Sequence, residues 1–120
     1  MLIIIAIISI SVNSCTNANK EELIPEAPCD TVGMSYSQDI VPILNNYCYE
    51  CHGANTYSIS GVNLSDYNTL KSYSNGVEGQ LYKNITHTSD HPMPLPPRPK
   101  LSDCNINKIL DWINQGAPNN

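Results

Sequence analysis

The sequence contains no phenylalanine, a single tryptophan and few basic residues. With 6 Lys and Arg against 11 Asp and Glu, the formal net charge is −5, which argues against nucleic acid as a partner because phosphate binding requires a basic surface. A length of 120 residues accommodates one small domain and leaves no room for a second core. Large apolar side chains are sparse beyond the first dozen residues. We therefore expect a cofactor or a covalent cross-link to stabilise the domain.

The N-terminal segment is typical of a signal peptide that ends at a lipidated cysteine. Leu2 to Ile8 form an unbroken apolar run, which is too short to span a bilayer and lacks the polar face of an amphipathic helix. The four residues that end at Cys15, Val-Asn-Ser-Cys, resemble the lipobox of bacterial lipoproteins. We therefore expect a signal peptide over residues 1–14 and a lipid on Cys15, with a buried N-terminal helix as the alternative.

A polar segment follows the lipobox and predicts a flexible tether over residues 15–28. It carries two prolines and shows no hydrophobic periodicity. Its Lys20-Glu21-Glu22 resembles the surface-export sequence of lipoproteins in one Gram-negative group, although an ordinary solvated linker has the same composition. We expect an exported domain over residues 29–120, anchored to a membrane by lipid and facing the periplasm or the cell surface.

Helical spacing of apolar residues and N-capping residues predict short helices separated by loops. Residues 91–99 hold five of the nine prolines, so this segment is predicted to run extended rather than helical. The predicted helices are Ser37–Tyr47 with Ser37 as the cap, Asp66–Lys71 capped by Ser65, Gln80–Ile85, and a final helix capped by Ser102 and stopped by Gly116.

The densest chemistry of the sequence lies in the motif Cys48-Tyr-Glu-Cys51-His52. Two thiols at this spacing with an adjacent imidazole form the attachment motif of c-type haem, in which the imidazole is an axial iron ligand. One alternative is a disulfide between the two cysteines. Another is a structural zinc site completed by His87 or His91, which requires reduced thiols that exported proteins seldom keep.

A second axial ligand must come from a distant segment that covers the opposite face of the haem. Met93, His87 and His91 are the candidates. Met93 lies between two prolines, and a rigid loop holds a thioether in place at low cost in conformational entropy. We therefore favour Met93, with the filling of a gap in the core as its alternative role and hydrogen bonding or solvent exposure as the expected role of the two histidines.

Over about residues 29–116 the chain resembles small class I c-type cytochromes of the bacterial lipoprotein kind. The resemblance is carried by the helix entering Cys48–His52, by Pro92-Met93-Pro94, and by a closing helix with Asp111-Trp112-Ile113 followed by Gly116-Ala117-Pro118. It implies an all-α, cytochrome c-like fold with three to four short helices around one covalently bound haem. The first and last helices pack together, with Tyr47 and Trp112 at their contact.

The resemblance also implies the function and the site. The expected function is one-electron transfer by a monomer that is not an enzyme and that docks briefly with redox partner proteins. The alternative is ligand binding or catalysis at an open or displaceable sixth iron position. The residues assigned to haem c are Cys48 and Cys51 as thioether attachments and His52 and Met93 as iron ligands.

Two cysteines remain after Cys15, Cys48 and Cys51 have been assigned. A disulfide between Cys29 and Cys104 is therefore expected, with two free thiols as the alternative. Most small cytochromes of this class lack such a bond. The apolar residues expected to line the haem are Leu64, Leu70, Leu81, Ile85 and Leu95.

Overall fold

The computed structural model describes residues 28–120, which consist of helices and loops without a strand. The expected signal peptide, Cys15 and all but the last residue of the expected tether lie outside the described residues. The all-α class is confirmed for this part of the chain. Its helices are α1 (Val41–Tyr47), α2 (Tyr49–His52), α3 (Tyr67–Tyr73), α4 (Gln80–Thr86) and α5 (Asp103–Asn114), with a π-helical turn (Tyr36–Ile40) before α1 and a 3-10 turn (Gly76–Glu78) before α4.

The first helical segment begins one residue earlier than predicted, and its cap is Ser35 rather than Ser37. The side chain of Ser35 accepts a hydrogen bond from the backbone N–H of Gln38 at 3.4 Å. The expected cap was wrong because Ser35 and Ser37, two positions apart, offer the same chemistry, and the π-helical turn begins directly after Ser35. The structure has one helix more than the three to four expected. Cys48 departs from helical φ and so separates α2 from α1.

The later helices lie close to their predicted positions. α3 is capped by Asp66, whose carboxylate accepts from the Thr69 N–H at 2.8 Å, so the expected cap Ser65 was wrong. α4 matches its prediction to within one residue. For α5 the predicted cap is confirmed, since Ser102 accepts from the Asn105 N–H at 3.2 Å. Beyond the end of α5, Gly116 has a positive φ of 89°, a conformation that glycine adopts without steric cost.

Trp112 lies at the centre of the contact between the first helical segment and α5. Its ring is fully buried and stacks on Tyr36, with ring centroids 5.6 Å apart, and its Nε1–H donates to the Pro118 carbonyl at 2.9 Å. Tyr67 packs edge-on against Tyr36 at 5.3 Å. The other expected aromatic residue, Tyr47, lies at the end of α1, packs against the core and also lines a cavity. The two ends of the domain therefore meet through Tyr36.

Polar links join the segment that enters the domain to its C-terminal end. The side-chain Oδ1 of Asn120 accepts from the Tyr36 N–H at 2.8 Å, and its backbone oxygen accepts from the Ser37 N–H at 2.9 Å. Cys29 and Cys104 form a disulfide with their Cα atoms 5.7 Å apart. The two hydrogen bonds satisfy the first backbone donors of the π-helical turn. The disulfide holds the entry segment against α5. None of the helices within residues 28–120 has the length and hydropathy of a membrane-spanning segment.

Candidate cofactor site

Two adjoining cavities, of about 310 Å³ and about 340 Å³, open between α1, α2, α4 and the proline-rich loop. We call residues 92–100 the Met93 loop. The first cavity extends to α4 and Leu101, and the second extends along the Met93 loop to Arg98. The lining residues that the two cavities share are Tyr47, Cys48, His52, Ser60, Met93 and Pro94.

The two thiols of the motif lie on one wall of these cavities and are not bonded to each other. Cys48 stands at the junction of α1 and α2, where its N–H donates to the Leu44 carbonyl and its own carbonyl accepts from His52, each at 2.8 Å. Burial raises the pKa of the Cys48 thiol to about 11. At neutral pH this thiol is therefore protonated. The structure does not contain the alternative Cys48–Cys51 disulfide.

A glycine directly after the motif lets the chain turn back over α2. A Cβ atom on Gly53 would lie 2.6 Å from the Tyr49 carbonyl oxygen, closer than any real side chain approaches. The turn is closed by the Gly53 N–H, which donates to that same carbonyl at 3.0 Å. Only glycine accommodates this close approach, so the residue that follows His52 is fixed by packing.

The imidazole of His52 is oriented by the loop that follows α2. Its Nδ1 lies 3.1 Å from the Val62 carbonyl oxygen, and since a carbonyl can only accept, Nδ1 carries the proton. The Nε2 atom of the neutral ring is then left with a free lone pair, the arrangement found in metal-bound histidines. Ser60 braces this loop, because its Oγ lies 2.9 Å from the Cys51 carbonyl and 3.1 Å from the Val62 carbonyl.

Met93 faces the same two cavities as His52 and is held there by the end of α4. Its N–H donates to the Asn84 carbonyl at 2.9 Å, and its carbonyl accepts from Nε2–H of His87 at 3.1 Å. Met93 is half-buried on the cavity wall rather than part of the buried core. The structure thus brings a thioether and an imidazole to one pair of cavities.

The two alternative histidine ligands are placed differently from Met93. His87 lines neither cavity, and its ring is engaged with the Met93 carbonyl. His91 lines the first cavity together with Met93 but is absent from the walls of the second. Of the three candidates, Met93 alone shares both cavities with His52.

Most of the expected apolar lining surrounds the cavities. Leu64, Leu81 and Ile85 line the first cavity. Leu95 lines the second, although it is 59% exposed. The prediction that Leu70 lines the haem site is wrong, because Leu70 is fully buried in the core and lines neither cavity.

Further apolar lining residues were missed from the sequence, among them Val62, Tyr73 and Leu101 of the first cavity and Ile59 of the second. Val62 and Leu101 lie outside the helical stripes, where periodicity gives no information. A detectable feature was the apolar position of Leu101 directly before the helix cap Ser102, where a hydrophobic residue commonly packs inward.

Residues 91–99 were predicted to run extended, and this is wrong for residues 95–98. The Arg98 N–H donates to the Leu95 carbonyl at 3.1 Å and closes a turn. Within this loop the Met93–Pro94 and Pro96–Pro97 bonds are cis. The turn brings the Arg98 guanidinium to the Glu50 carboxylate on α2, an ion pair that the sequence did not predict. Arg98 lowers the pKa of this carboxyl group, so the pair is charged at neutral pH.

The donors at this site suit a large apolar group that carries a metal at its centre. The walls are mostly apolar, two thiols lie on one side, and imidazole and thioether groups are available to a metal. A bare metal ion would need three or more side-chain donors close together. Within residues 28–120 no such group of His, Cys, Asp and Glu occurs, so the zinc hypothesis gains no support from the side-chain positions.

A comparison of the chain with protein-family models, curated proteins and solved structures finds no match.

Proposed function

We propose that residues 29–120 form a monohaem c-type cytochrome domain with a cytochrome c-like fold, whose function is one-electron transfer. The observation that carries this proposal is the convergence of four side chains on one pair of cavities. Cys48, Cys51 and His52 come from one turn of the chain, and Met93 comes from a segment 41 residues further on (93 minus 52). All four line the second cavity.

Each of these residues has a distinct part in holding haem. Cys48 and Cys51 would attach the porphyrin through thioether bonds, and His52 and Met93 would be the axial ligands. Bound haem supplies one-electron chemistry through interconversion of Fe(II) and Fe(III). The Val62 carbonyl fixes the tautomer of His52 that leaves Nε2 free to coordinate.

The protein around the haem would set its reduction potential. A thioether opposite an imidazole raises the potential relative to two imidazoles. Around a bound haem, the aliphatic residues Leu64, Leu81 and Ile85 of the first cavity would limit access of water and disfavour the more highly charged oxidised state. No substrate pocket is needed for electron transfer, and we propose that the protein is not an enzyme.

The proposed setting of this domain is outside the cytoplasm. The disulfide between Cys29 and Cys104 suits an oxidising compartment. We propose export, anchoring through a lipid on Cys15, and brief docking of a monomer with redox partner proteins. The excess of acidic residues favours a partner with a basic surface and predicts salt-sensitive docking.

Expression of the full chain in an exporting, haem-maturing bacterial host tests this proposal. Haem that stays with the polypeptide through denaturing electrophoresis, together with a low-spin spectrum and the absorption band of Met-to-iron(III) ligation, is the expected result. Cys48→Ala/Cys51→Ala should lose the covalent haem. The matched variant Cys29→Ser/Cys104→Ser also removes two cysteines but should keep it.

Two outcomes would contradict the proposal in different ways. A chain without haem after such expression would rule out a c-type cytochrome. Covalent haem with a high-spin spectrum would favour ligand binding or catalysis at an open iron position instead of electron transfer.

A further inference from the structure

An ion pair joins the haem-attachment motif to the Met93 loop. Glu50 lies between the two cysteines on α2, and its carboxylate pairs with the guanidinium of Arg98, 48 residues further along the chain. Arg98 lines the second cavity, as do Cys51 and the exposed Leu95. The pair therefore ties the loop wall of this cavity, through Arg98, to Glu50 on α2, which itself lines neither cavity.

The part of the loop that this pair holds has few other anchors. Pro94 and Leu101 are buried at its two ends, and Met93 is fixed to α4 through its N–H and its carbonyl. Residues 95–100 between these anchors are all exposed. Within residues 28–120, the hydrogen bond from this exposed stretch to α2 is the one between Arg98 and Glu50.

We infer that Glu50 and Arg98 form a latch that holds the Met93 loop against α2 and limits the replacement of Met93 on the iron by external ligands. This inference rests on the proposed haem site and adds two positioning residues to it. Neither residue touches the iron in this scheme. They act through the loop, because its displacement from α2 opens the second cavity beside Met93.

The free energy that the Glu50–Arg98 pair contributes is small, because both side chains are exposed. The side chains of Arg98 and Glu50 are 43% and 68% exposed. Exposed ion pairs contribute little free energy, which corresponds to about a 1.5- to 5-fold change in an equilibrium constant. Salt screens such pairs, so the effect should fade as the ionic strength approaches about 1 M. Ligand access would therefore depend on ionic strength.

The test is an imidazole titration of the oxidised holoprotein, in which binding is measured as loss of the Met-to-iron absorption band. Glu50→Gln and Arg98→Gln should each raise the apparent affinity for imidazole about 1.5- to 5-fold at low salt. The double variant should be no more affected than either single variant, because both remove one interaction. The charge exchange Glu50→Arg/Arg98→Glu should restore the wild-type affinity.

A second exposed ion pair of this chain provides the matched control. Glu78 and Lys83 lie 2.7 Å apart and line neither cavity. Glu78→Gln removes the same charge and should leave imidazole affinity unchanged. Equal affinities in Glu50→Gln and Glu78→Gln, or additive effects in the double variant, would overturn the latch.

Hydrogen exchange of the Arg98 amide, which donates to the Leu95 carbonyl at 3.1 Å, separates failure of the latch from failure of the haem proposal. This measurement needs no haem, and Glu50→Gln should speed exchange in the loop whether or not haem is bound. Faster loop exchange in a chain that never takes up haem would support the contact but overturn its role in ligand access. Unchanged exchange in a haem-loaded protein would overturn the latch alone.

Discussion

The Nε2–H group of His87 donates a hydrogen bond to the carbonyl oxygen of Met93 across 3.1 Å. His87 is the C-cap of α4 and has a left-handed backbone with φ of 61°. The Asn84 carbonyl, at the same end of α4, accepts a hydrogen bond from the Met93 N–H. Both backbone polar groups of Met93 are therefore hydrogen-bonded to the end of α4. His87, one of the alternative ligands that the sequence offered, thus makes a hydrogen bond as expected of it and supports Met93, the ligand that we propose.

Loss of this support should loosen the iron–thioether bond that we propose. His87→Ala removes one hydrogen bond, which typically corresponds to about a 2- to 10-fold change in an equilibrium constant. We expect imidazole to bind the oxidised holoprotein more tightly by about that factor, as measured by loss of the Met-to-iron band. His87→Gln keeps an N–H donor and should restore part of the difference. An unchanged affinity in His87→Ala would show that the backbone contact with Asn84 suffices.

Replacement of Met93 should change ligand binding at the iron more than replacement of His87 does. In the haem protein that we propose, Met93→Ala would leave the iron without its thioether, so the reduction potential should fall and carbon monoxide or imidazole should bind readily. Potentiometric titration and visible spectra check both results. His91 lines the first cavity beside Met93, so a comparison with Met93→Ala/His91→Ala shows whether His91 takes the vacant position. An unchanged potential and no new ligand binding would exclude Met93 as a ligand.

The sequence predicts those parts of this protein that depend on one segment at a time. The motif at Cys48–His52 is contiguous, and α5 combines a helical apolar stripe with the cap Ser102 in a single stretch. Periodicity and capping act within a few residues, so they can be recognised without the fold. The same holds for α4 and for the all-α class.

Long-range choices between equivalent side chains could not be predicted in this way. Tyr47 and Tyr36 are both aromatic residues of the first helical segment, and packing alone places Tyr36 against Trp112. The Glu50–Arg98 pair depends on a turn within a proline-rich segment, where periodicity gives no information. Tertiary contacts decide these cases, so a single sequence leaves them open.

The link between Asn120 and the π-helical turn should stabilise the fold. The Oδ1 atom of Asn120 accepts a hydrogen bond from the Tyr36 N–H at 2.8 Å and so caps a helical segment that is remote in sequence. Asn120→Ala should lower the free energy of unfolding by about 1 kcal/mol, the usual effect of losing a helix N-cap. Asn119→Ala is the matched control, since it changes the neighbouring asparagine. Equal midpoints of both variants in urea denaturation would contradict a capping role.

The cap of α3 should make stability depend on pH in the acidic range. The Thr69 backbone N–H first, and the Thr69 hydroxyl second, donate hydrogen bonds to the Asp66 carboxylate and lower its pKa from the ordinary value of 3.8. A group whose pKa is lower in the folded state binds its proton more weakly there than in the unfolded chain. Its contribution to stability is therefore complete above about pH 4 and is lost as the pH falls through the lower, folded pKa.

Asp66→Asn isolates this contribution, because asparagine caps helices as well as aspartate but does not titrate. The wild type should lose stability relative to Asp66→Asn as the pH is lowered from about 5 to about 2, as measured by urea denaturation at each pH. Ser65→Ala, at the neighbouring serine, should change stability by the same amount at every pH. A constant difference between the wild type and Asp66→Asn over this range would show that the Asp66 carboxylate is not the cap of α3 in solution.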